Sequence, residues 1–176
     1  MISKIIIFTD LDGTLLHSET FEFEKIRQYI KNLLSKNISI IPNSSKTKAE
    51  ILNFCHELKA ELPFIAENGA AIYKMNLINS DFPEKIILSR DKDEILNVFL
   101  KKIPKKFISK CKFVLKLKKD EQLKIFGLSE KQLSYASDRE FSVPLIFQGN
   151  KIEKNNLFKL VSDMGLTMQE GGRVIN

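Results

Sequence analysis

A short apolar strand that leads directly into two carboxylates restricts this chain's fold more than any other sequence feature. The segment KIIIFTDLDGTLLH places Ile5–Thr9, which shows no apolar–polar alternation, ahead of Asp10 and Asp12. An unbroken apolar run is typical of a central strand in a parallel sheet, so Ile5–Thr9 is predicted to be fully buried. Ligands of such sheets bind beyond the carboxyl ends of the strands. Asp10 is therefore predicted to lie at a ligand site.

Strand and helix patterns alternate through the first half of the chain, and this order predicts a parallel α/β sheet with right-handed crossovers. After Asn68 and Gly69 the strict alternation ends, which favours a separate α+β module. The predicted elements of the first half are a helix over Phe21–Ser35, a strand at Ile38–Pro42, a helix opened by the Thr47–Glu50 capping box and a strand at Pro63–Ala66. Further strands are predicted at Ala70–Lys74, Lys85–Ser89, Lys112–Leu117, Phe141–Gln148 and Leu166–Gln169.

The composition is that of an ordinary globular protein, with 43% hydrophobic and 28% charged residues. The longest apolar run near the start, Ile5–Phe8, is too short for a signal peptide or a membrane span. A cytoplasmic protein without a membrane partner is therefore expected. His17 and His56 have no companion at metal-ligand spacing, which argues against a zinc site.

A Lys-rich stretch dominates the middle of the chain, with twelve basic residues against three acidic ones between Lys85 and Lys119. Such a stretch suits either a nucleic-acid surface or a solvated face of a Lys-rich protein. Little aromatic interleaving and no nucleic-acid motif accompany it, so no nucleic-acid partner is predicted. A weak attraction for anionic metabolites is expected instead.

Two carboxylates in one tight turn repel each other unless a cation or a bound proton intervenes. Gly13 allows close backbone approach and Thr14 adds a hydroxyl group, so Asp10 and Asp12 indicate a Mg²⁺ site completed by phosphate and water. Ser44, in the segment PNSSKT after the second strand, lies just ahead of a predicted helix N-terminus, which is a natural anion site. A simple helix cap is the other reading of Ser44.

The segment DLDGTLL resembles the first motif of the haloacid dehalogenase (HAD) superfamily of phosphotransferases. The resemblance implies that Asp10 is the nucleophile that forms an aspartyl-phosphate. It also implies that Asp12 protonates the leaving oxygen and then deprotonates the attacking water. Mg²⁺ would bridge the Asp10 carboxylate, the backbone carbonyl of Asp12 and the phosphate. Ser44 would correspond to the second motif and bind phosphoryl oxygens.

Four further segments, NSSKT, PFIAENGAAIY, SDREFSVPLIF and GGRVIN, appear in an order similar to that of the mannosyl-3-phosphoglycerate phosphatase family. This resemblance implies a Rossmann-like core with an inserted α+β cap of the C2B type, divided as core 1–74, cap 75–170 and return to the core at 171–176. The substrate-binding candidates that follow are Thr14, Lys46, Glu67, Asn68, Gly69, Arg139, Ser142, Gly172 and Arg173. Surface ion pairs for the two Arg residues, and a simple turn at 67–69, remain alternative readings. Val174 stands where the family has an aromatic residue.

The family continues after the Gly-Gly-Arg motif with a Lys motif and a Gly-Asp-x-x-Asn-Asp motif, and neither occurs in this sequence. The core is therefore expected to be C-terminally truncated, with Ile5–Phe8 left as an unpaired edge that favours self-association. The function implied is a Mg²⁺-dependent phosphatase that converts mannosyl-3-phosphoglycerate to mannosylglycerate and phosphate, incomplete as this chain. The alternative is an inactive remnant that binds a phosphorylated ligand or a partner chain.

Overall fold

The computed structural model describes residues 5–17 and 20–176, and it divides into two compact units. The first unit is Met1–Ser89 and the second is Arg90–Asn176. The observed division thus lies later in the chain than the predicted boundary at residue 75, and residues 171–176 belong to the second unit rather than to the first. The role of the second unit as a cap remains a prediction.

The first unit is an α/β structure in which parallel and antiparallel pairings follow one another. Strand β1 pairs in parallel with β2, in a register that runs from Ile5↔Ile38 to Thr9↔Pro42. A parallel bridge between Asn43 and Ile65 connects the end of β2 to β3, and β3, β4 and β5 form an antiparallel sheet in that order. The elements are β1 (Ile5–Thr9), α1 (Glu24–Ser35), β2 (Ile38–Pro42), α2 (Lys48–Leu58), β3 (Phe64–Ala66), β4 (Ala71–Tyr73) and β5 (Lys85–Ile87).

Helix α2 begins at the predicted capping box. The Thr47 hydroxyl accepts a hydrogen bond from the backbone N–H of Glu50 at 3.1 Å, and the Glu50 carboxylate accepts one from the N–H of Thr47 at 2.9 Å. These bonds satisfy two N–H groups that a helix start would otherwise leave without partners. Helix α1 begins later than predicted, because Phe21 has a left-handed φ of 59° that no helix can include.

The core of the first unit lies where α2 packs on the sheet. Ile41, Ile51, Leu58 and Phe64 are essentially inaccessible to solvent, and the Phe64 ring stacks on Tyr73 at 5.0 Å between centroids. Burying a large apolar side chain of this kind contributes about 1.5–3 kcal/mol. This packing fixes the ends of β2 and β3 relative to the start of α2.

The prediction that β1 is fully buried was wrong. Ile5 is 54% exposed and Phe8 is 60% exposed, and Ile6 and Ile7 are exposed as well. The physical reason is that β1 has one strand partner, β2, among the residues that the structure describes. An apolar run shows what would gain free energy by burial, but it does not supply the strand or helix that covers it.

The second unit is an α+β structure, as predicted for the latter part of the chain. Strands β6 and β7 are antiparallel, with Lys112 opposite Ile146, and β7 is bridged on its other edge by Ile175. Its elements are α3 (Lys92–Lys102), α4 (Lys105–Ile108), β6 (Cys111–Phe113), α5 (Lys119–Phe126), α6 (Glu130–Ala136), β7 (Leu145–Phe147) and α7 (Lys151–Ser162). Capping boxes open α6 at Ser129 and α7 at Asn150.

Two hydrophobic clusters pack against the β6–β7 pair. Leu145 joins a cluster with Leu157 and Val161 of α7, whereas Ile146 packs against a cluster with Phe126 of α5 and Leu133 of α6. Successive residues of a strand point to opposite faces, so the clusters lie on the two sides of this small sheet. None of the helices in the described part of the chain is long and apolar enough to span a bilayer.

Three predicted strands differ from the structure. The strand over Lys112–Leu117 is shorter and runs into a 3₁₀ turn at Val114–Lys116, and the strand over Phe141–Gln148 is reduced to Leu145–Phe147. Leu166–Gln169 forms no strand; the nearby pairing is a bridge between Glu170 and Ile175. Helix α5 was missed, because its start at Lys119 follows an N-cap, Lys118, that makes no side-chain capping bond.

The exposed edge of β1 predicts that the chain associates with a second copy of itself. Ile6→Lys places a charge on this apolar strand and should weaken strand–strand pairing between copies. Ile152→Lys is the matched control, since Ile152 is 73% exposed on α7 and lies outside β1. Light scattering over a concentration series should show association of the unmodified chain and of the control, and a shift toward monomer for Ile6→Lys. An unmodified chain that stays monomeric over the whole concentration series would contradict the prediction.

Candidate active site

The turn after β1 holds Asp10 and Asp12 at the carboxyl end of the strand. Leu11, between them, is completely buried and anchors the turn. Asp10 is exposed, and its Oδ1 accepts a hydrogen bond from the N–H of Leu11 at 2.7 Å. Gly13 adopts a φ of 76°, which a residue with a side chain rarely adopts. Asp10 therefore presents a carboxylate to open space from a position that the protein backbone fixes.

Ser44 lies beside this turn because the ends of the three strands are tied together. The N–H of Asn43 donates to the carbonyl of Thr9 at 2.8 Å, and the N–H of Ser44 donates to the carbonyl of Ile65 at 3.1 Å. Ser44 is buried, and its hydroxyl accepts a hydrogen bond from the N–H of Lys46 at 3.3 Å. The structure thus brings Ser44 and the Asp pair to one edge of the sheet, while binding of phosphoryl oxygens by Ser44 remains a proposal.

Lys46 faces Asp12. Its Nζ forms an ion pair with Asp12 Oδ1 at 3.1 Å and lies 3.4 Å from Glu50 Oε1. The Lys46 side chain is only 11% exposed and that of Glu50 13%. The ammonium group also lies over the ring of Phe21, 4.5 Å from its centroid. Phe21 and Glu50 were not among the sequence-based site candidates.

The environment raises the pKa of the Asp12 carboxyl above its ordinary value. Burial is the largest cause, because it disfavours the charged form, and the carboxylates of Glu50 and Asp10 add to it. The positive charge of Lys46 opposes these effects and lowers the pKa. A carboxyl group with a raised pKa holds a proton more readily near neutral pH, which suits a general acid.

The predicted segment 67–69 forms a strained turn between β3 and β4. Glu67, Asn68 and Gly69 all have positive φ values, of 49°, 60° and 91°. The N–H of Glu67 donates to the carbonyl of Lys46, and that of Asn68 to the carbonyl of Ser44, both at 3.0 Å. Glu67 is buried, whereas Asn68 is exposed. The turn therefore lies next to Ser44 and Lys46, and its part in substrate binding stays a prediction.

The remaining candidates lie in two places. Thr14 is exposed in the turn after Asp12. In the second unit, Arg139 is buried rather than on the surface, and its Nη1 donates to Ser142 Oγ at 2.8 Å. Gly172 is exposed, and the guanidinium group of Arg173 lies against Gly127, where an added Cβ would be 2.9 Å from Arg173 Nη1.

The donor set near β1 fits a magnesium ion in part. Among the residues that the structure describes, no three acidic, His or Cys side chains are grouped as metal ligands. The exposed Asp10 carboxylate can bind a cation. The Asp12 carboxylate faces Lys46 instead, and it is the backbone carbonyl of Asp12 that the resemblance assigns to the metal. Mg²⁺ typically binds one or two carboxylates together with phosphate and water, so these donors are consistent with it.

A parallel α/β unit with paired aspartates after its first strand defines a class of phosphotransferase-like hydrolases, and a family comparison agrees. A family described as haloacid dehalogenase-like hydrolase matches residues 7–165. The chain therefore belongs to the haloacid dehalogenase-like hydrolase family.

Two curated relatives carry the same printed name, glucosyl-3-phosphoglycerate/mannosyl-3-phosphoglycerate phosphatase. The protein from Persephonella marina is 34% identical over 96% of this chain and 64% of its own length. The protein from Methanococcoides burtonii is 46% identical over 40% of this chain and 26% of its own length. The chain thus spans less than two thirds of either relative.

Solved structures share the fold at low identity. A phosphatase of the haloalkanoate superfamily from Bacteroides thetaiotaomicron has a TM-score of 0.65 at 15% identity, over 99% of this chain and 65% of that one. A Thermotoga maritima structure has a TM-score of 0.60 at 20% identity, over 99% of this chain and 68% of that one. These likenesses establish the fold alone.

The Lys46–Asp12 pair predicts a pH-dependent loss of stability in Lys46→Met. Removing the ammonium group should raise the pKa of Asp12 in the folded protein further above its value in the unfolded chain. A folded-state pKa that is raised in this way leaves stability unaffected at acid pH, where Asp12 is protonated in both states, and lowers it as the pH rises through the folded-state pKa. At neutral pH the loss should be about 1–2 kcal/mol, between the values for exposed and buried pairs. Urea unfolding at acid and neutral pH should show a larger loss at neutral pH. Lys48→Met, two residues further along, should lack this pH dependence.

The left-handed conformation of Asn68 predicts which replacements the turn tolerates. Asn68→Gly should be nearly neutral, while Asn68→Val should destabilise the protein by about 1–3 kcal/mol, because a β-branched side chain clashes with its own backbone at this φ. Asn76→Val is the control, since Asn76 is exposed in a 3₁₀ turn of ordinary φ. Thermal unfolding measures the difference, and equal effects of the two Val variants would contradict the strain argument.

Proposed function

We propose that the chain carries the nucleophile and the acid–base group of a Mg²⁺-dependent phosphatase that hydrolyses a sugar phosphoglycerate through an aspartyl-phosphate. The observation that carries the proposal is the contrast between the two aspartates: Asp10 presents an exposed carboxylate, and Asp12, beside it, has a raised pKa and an ion pair to Lys46. A nucleophile and a proton donor need these different environments.

In the first step an oxygen of the Asp10 carboxylate attacks the phosphorus atom, and the bond from phosphorus to the alcohol oxygen breaks. Asp12 gives its proton to that leaving oxygen. In the second step Asp12, now a base, takes a proton from water, whose oxygen attacks the phosphorus of the aspartyl-phosphate and releases inorganic phosphate and the free Asp10 carboxylate. A bound Mg²⁺ would offset the charge of the phosphoryl group. The hydroxyl of Ser44, at the start of α2, would bind the phosphoryl oxygens.

The substrate class is inferred from the named relatives, whose printed activity is on glucosyl- and mannosyl-3-phosphoglycerate. Mannosyl-3-phosphoglycerate is the substrate that we propose. The sugar and glycerate parts would be bound by Thr14, the turn at 67–69, Arg139, Ser142, Gly172 and Arg173. Arg139 would act from its buried position, where Ser142 orients its guanidinium group. A cytoplasmic location and the absence of nucleic-acid and membrane partners stay predictions.

A second function is a chain that binds a phosphorylated ligand or a partner chain without turnover. Two observations support it. Among the described residues no third acidic, His or Cys side chain is placed to hold a metal ion together with Asp10 and Asp12, and the apolar strand β1 is exposed. A two-carboxylate site would bind Mg²⁺ weakly, and an exposed strand edge can pair with another chain.

Asp10→Asn separates these functions. The unmodified chain should release phosphate from mannosyl-3-phosphoglycerate only with Mg²⁺ and should form an acyl phosphate, and Asp10→Asn should abolish both because an amide oxygen is a poor nucleophile. Asp81→Asn is the matched control, as Asp81 is an exposed residue away from β1. Phosphate release and acid-stable phosphoprotein measure the two steps.

Turnover that survives in Asp10→Asn contradicts the proposed nucleophile. Failure of the unmodified chain to turn over, together with saturable binding of mannosyl-3-phosphoglycerate by calorimetry, supports the second function instead. Removal of Mg²⁺ by chelation should stop turnover, whereas activity that persists in the chelator contradicts the proposed metal dependence.

A further inference from the structure

The ammonium group of Lys46 is enclosed on three sides. Asp12 Oδ1 lies 3.1 Å from Nζ, Glu50 Oε1 lies 3.4 Å from it, and the ring centroid of Phe21 lies 4.5 Å from it. The Lys46 side chain is 11% exposed, so it is not a surface lysine that reaches freely into solvent. An ammonium group has three N–H donors, and three neighbours of suitable charge or polarity surround this one.

Glu50 holds Lys46 because it is itself held by the start of α2. Its Oε2 accepts the capping hydrogen bond from the N–H of Thr47, while Oε1 faces the ammonium group. The capping bond limits the rotamers of the Glu50 side chain, and Lys46 lies four residues earlier, where the two side chains can meet. The Glu50 carboxylate therefore both caps the N-terminus of α2 and positions the ammonium group of Lys46.

Phe21 closes the third side at a conformational cost. Its φ of 59° is left-handed, which is a genuine outlier for a bulky residue. Phe21 and Glu22 each take part in a backbone hydrogen bond with His17: the N–H of Phe21 donates to the carbonyl of His17, and the N–H of His17 donates to the carbonyl of Glu22, each at 2.9 Å. Strain of this kind persists where the surrounding structure determines the conformation, and it is concentrated at functional sites.

The enclosure fixes the carboxyl group of Asp12. Oδ1 is buried and faces the ammonium group, although the side chain as a whole is 37% exposed. A proton that Asp12 exchanges with a leaving oxygen or with water is therefore carried on Oδ2. A general acid must lie within hydrogen-bond reach of the atom that it protonates, so an Asp12 side chain held in one orientation is more effective than one that rotates.

We propose that Lys46, Glu50 and Phe21 are positioning residues that hold the Asp12 carboxyl group in one orientation, with Lys46 engaged by Asp12 rather than by the substrate. The catalytic consequence rests on the proposed function, in which Asp12 is the general acid. The orientation of the Asp12 carboxyl group does not depend on the proposed function, so it can be measured independently of turnover.

Phe21→Asn is the most informative variant, because Asn tolerates a left-handed φ but lacks the ring. If Phe21 served the fold alone, the variant would change only stability. We expect a higher midpoint of unfolding than in the unmodified chain, as strain is relieved, together with a less ordered Asp12. Stability and order should therefore move in opposite directions. Phe21→Leu, which keeps the strain but removes the ring, should also loosen Asp12.

Three-bond couplings between Hα and Hβ of Asp12, measured by NMR, report its side-chain order. The unmodified chain should show the couplings of one rotamer, and Phe21→Asn, Glu50→Gln and Lys46→Met should show averaged couplings. Lys48→Met is the matched control. Lys48 lies on α2 like Glu50, but its ammonium group lies over the ring of Tyr73, 5.2 Å from the centroid. Couplings that stay unchanged in all three variants overturn the proposal, whether or not the chain is active.

Leaving-group dependence tests the catalytic consequence. Loss of a positioned general acid should lower kcat/KM for an alkyl phosphate such as mannosyl-3-phosphoglycerate by roughly tenfold or more. It should hardly change kcat/KM for p-nitrophenyl phosphate, whose phenolate leaves without a proton. Asp12→Asn should give the same pattern more strongly. Averaged couplings with an equal loss for both substrates overturn the positioning role, while an inactive unmodified chain contradicts the proposed function and leaves the couplings to decide the orientation.

Discussion

The capping box at Thr47 and Glu50 is the interaction on which the arrangement of the candidate site depends. It starts α2 at Lys48, a short loop after β2 ends at Pro42, and Ser44 and Lys46 lie in that loop. The same Glu50 carboxylate that accepts from the N–H of Thr47 also faces Lys46, and Lys46 faces Asp12. A local rule of helix formation is thereby connected, through two ion pairs, to the group proposed to move protons.

Local signals in the sequence predicted those parts of the structure that local physics determines. The strand at Ile38–Pro42, the capping box at Thr47 and the placement of Asp10 at a strand end all follow from short segments. The role of Phe21 could not be predicted, because it depends on a contact with Lys46, which is distant in sequence. For Glu50, its spacing of four residues from Lys46 was a usable signal; for Phe21, nothing in the sequence indicated a left-handed φ. The burial of β1 could not be predicted either, since it depends on partners and not on the strand.

The exposure of β1 affects how firmly Asp10 is held in the candidate site. Asp10 follows β1 immediately, and the β1–β2 pairing is what brings Thr9 to Asn43 and hence Asp10 toward Ser44. A strand paired on one side and uncovered by helices opens locally more easily than a central strand, since fewer contacts must be broken. The position of Asp10, the proposed nucleophile, therefore depends on the pairing of this one strand, and a partner that covers β1 should also hold Asp10 more firmly.

The formal charges of the site, like its donor atoms, are consistent with a bound cation. Asp10, Asp12 and Glu50 supply three acidic groups, and the ammonium group of Lys46 lies among them, so negative charge is in excess even when Asp12 holds its proton. The ring face of Phe21 adds further negative potential next to the ammonium group. A phosphate monoester would be repelled by a site with this excess, because like charges in a partly buried environment are poorly screened. A divalent cation on Asp10 would offset two charges and make the site receptive to phosphate. The ammonium group of Lys46 already faces two carboxyl groups, so it would offset less of this charge than the proposed metal ion.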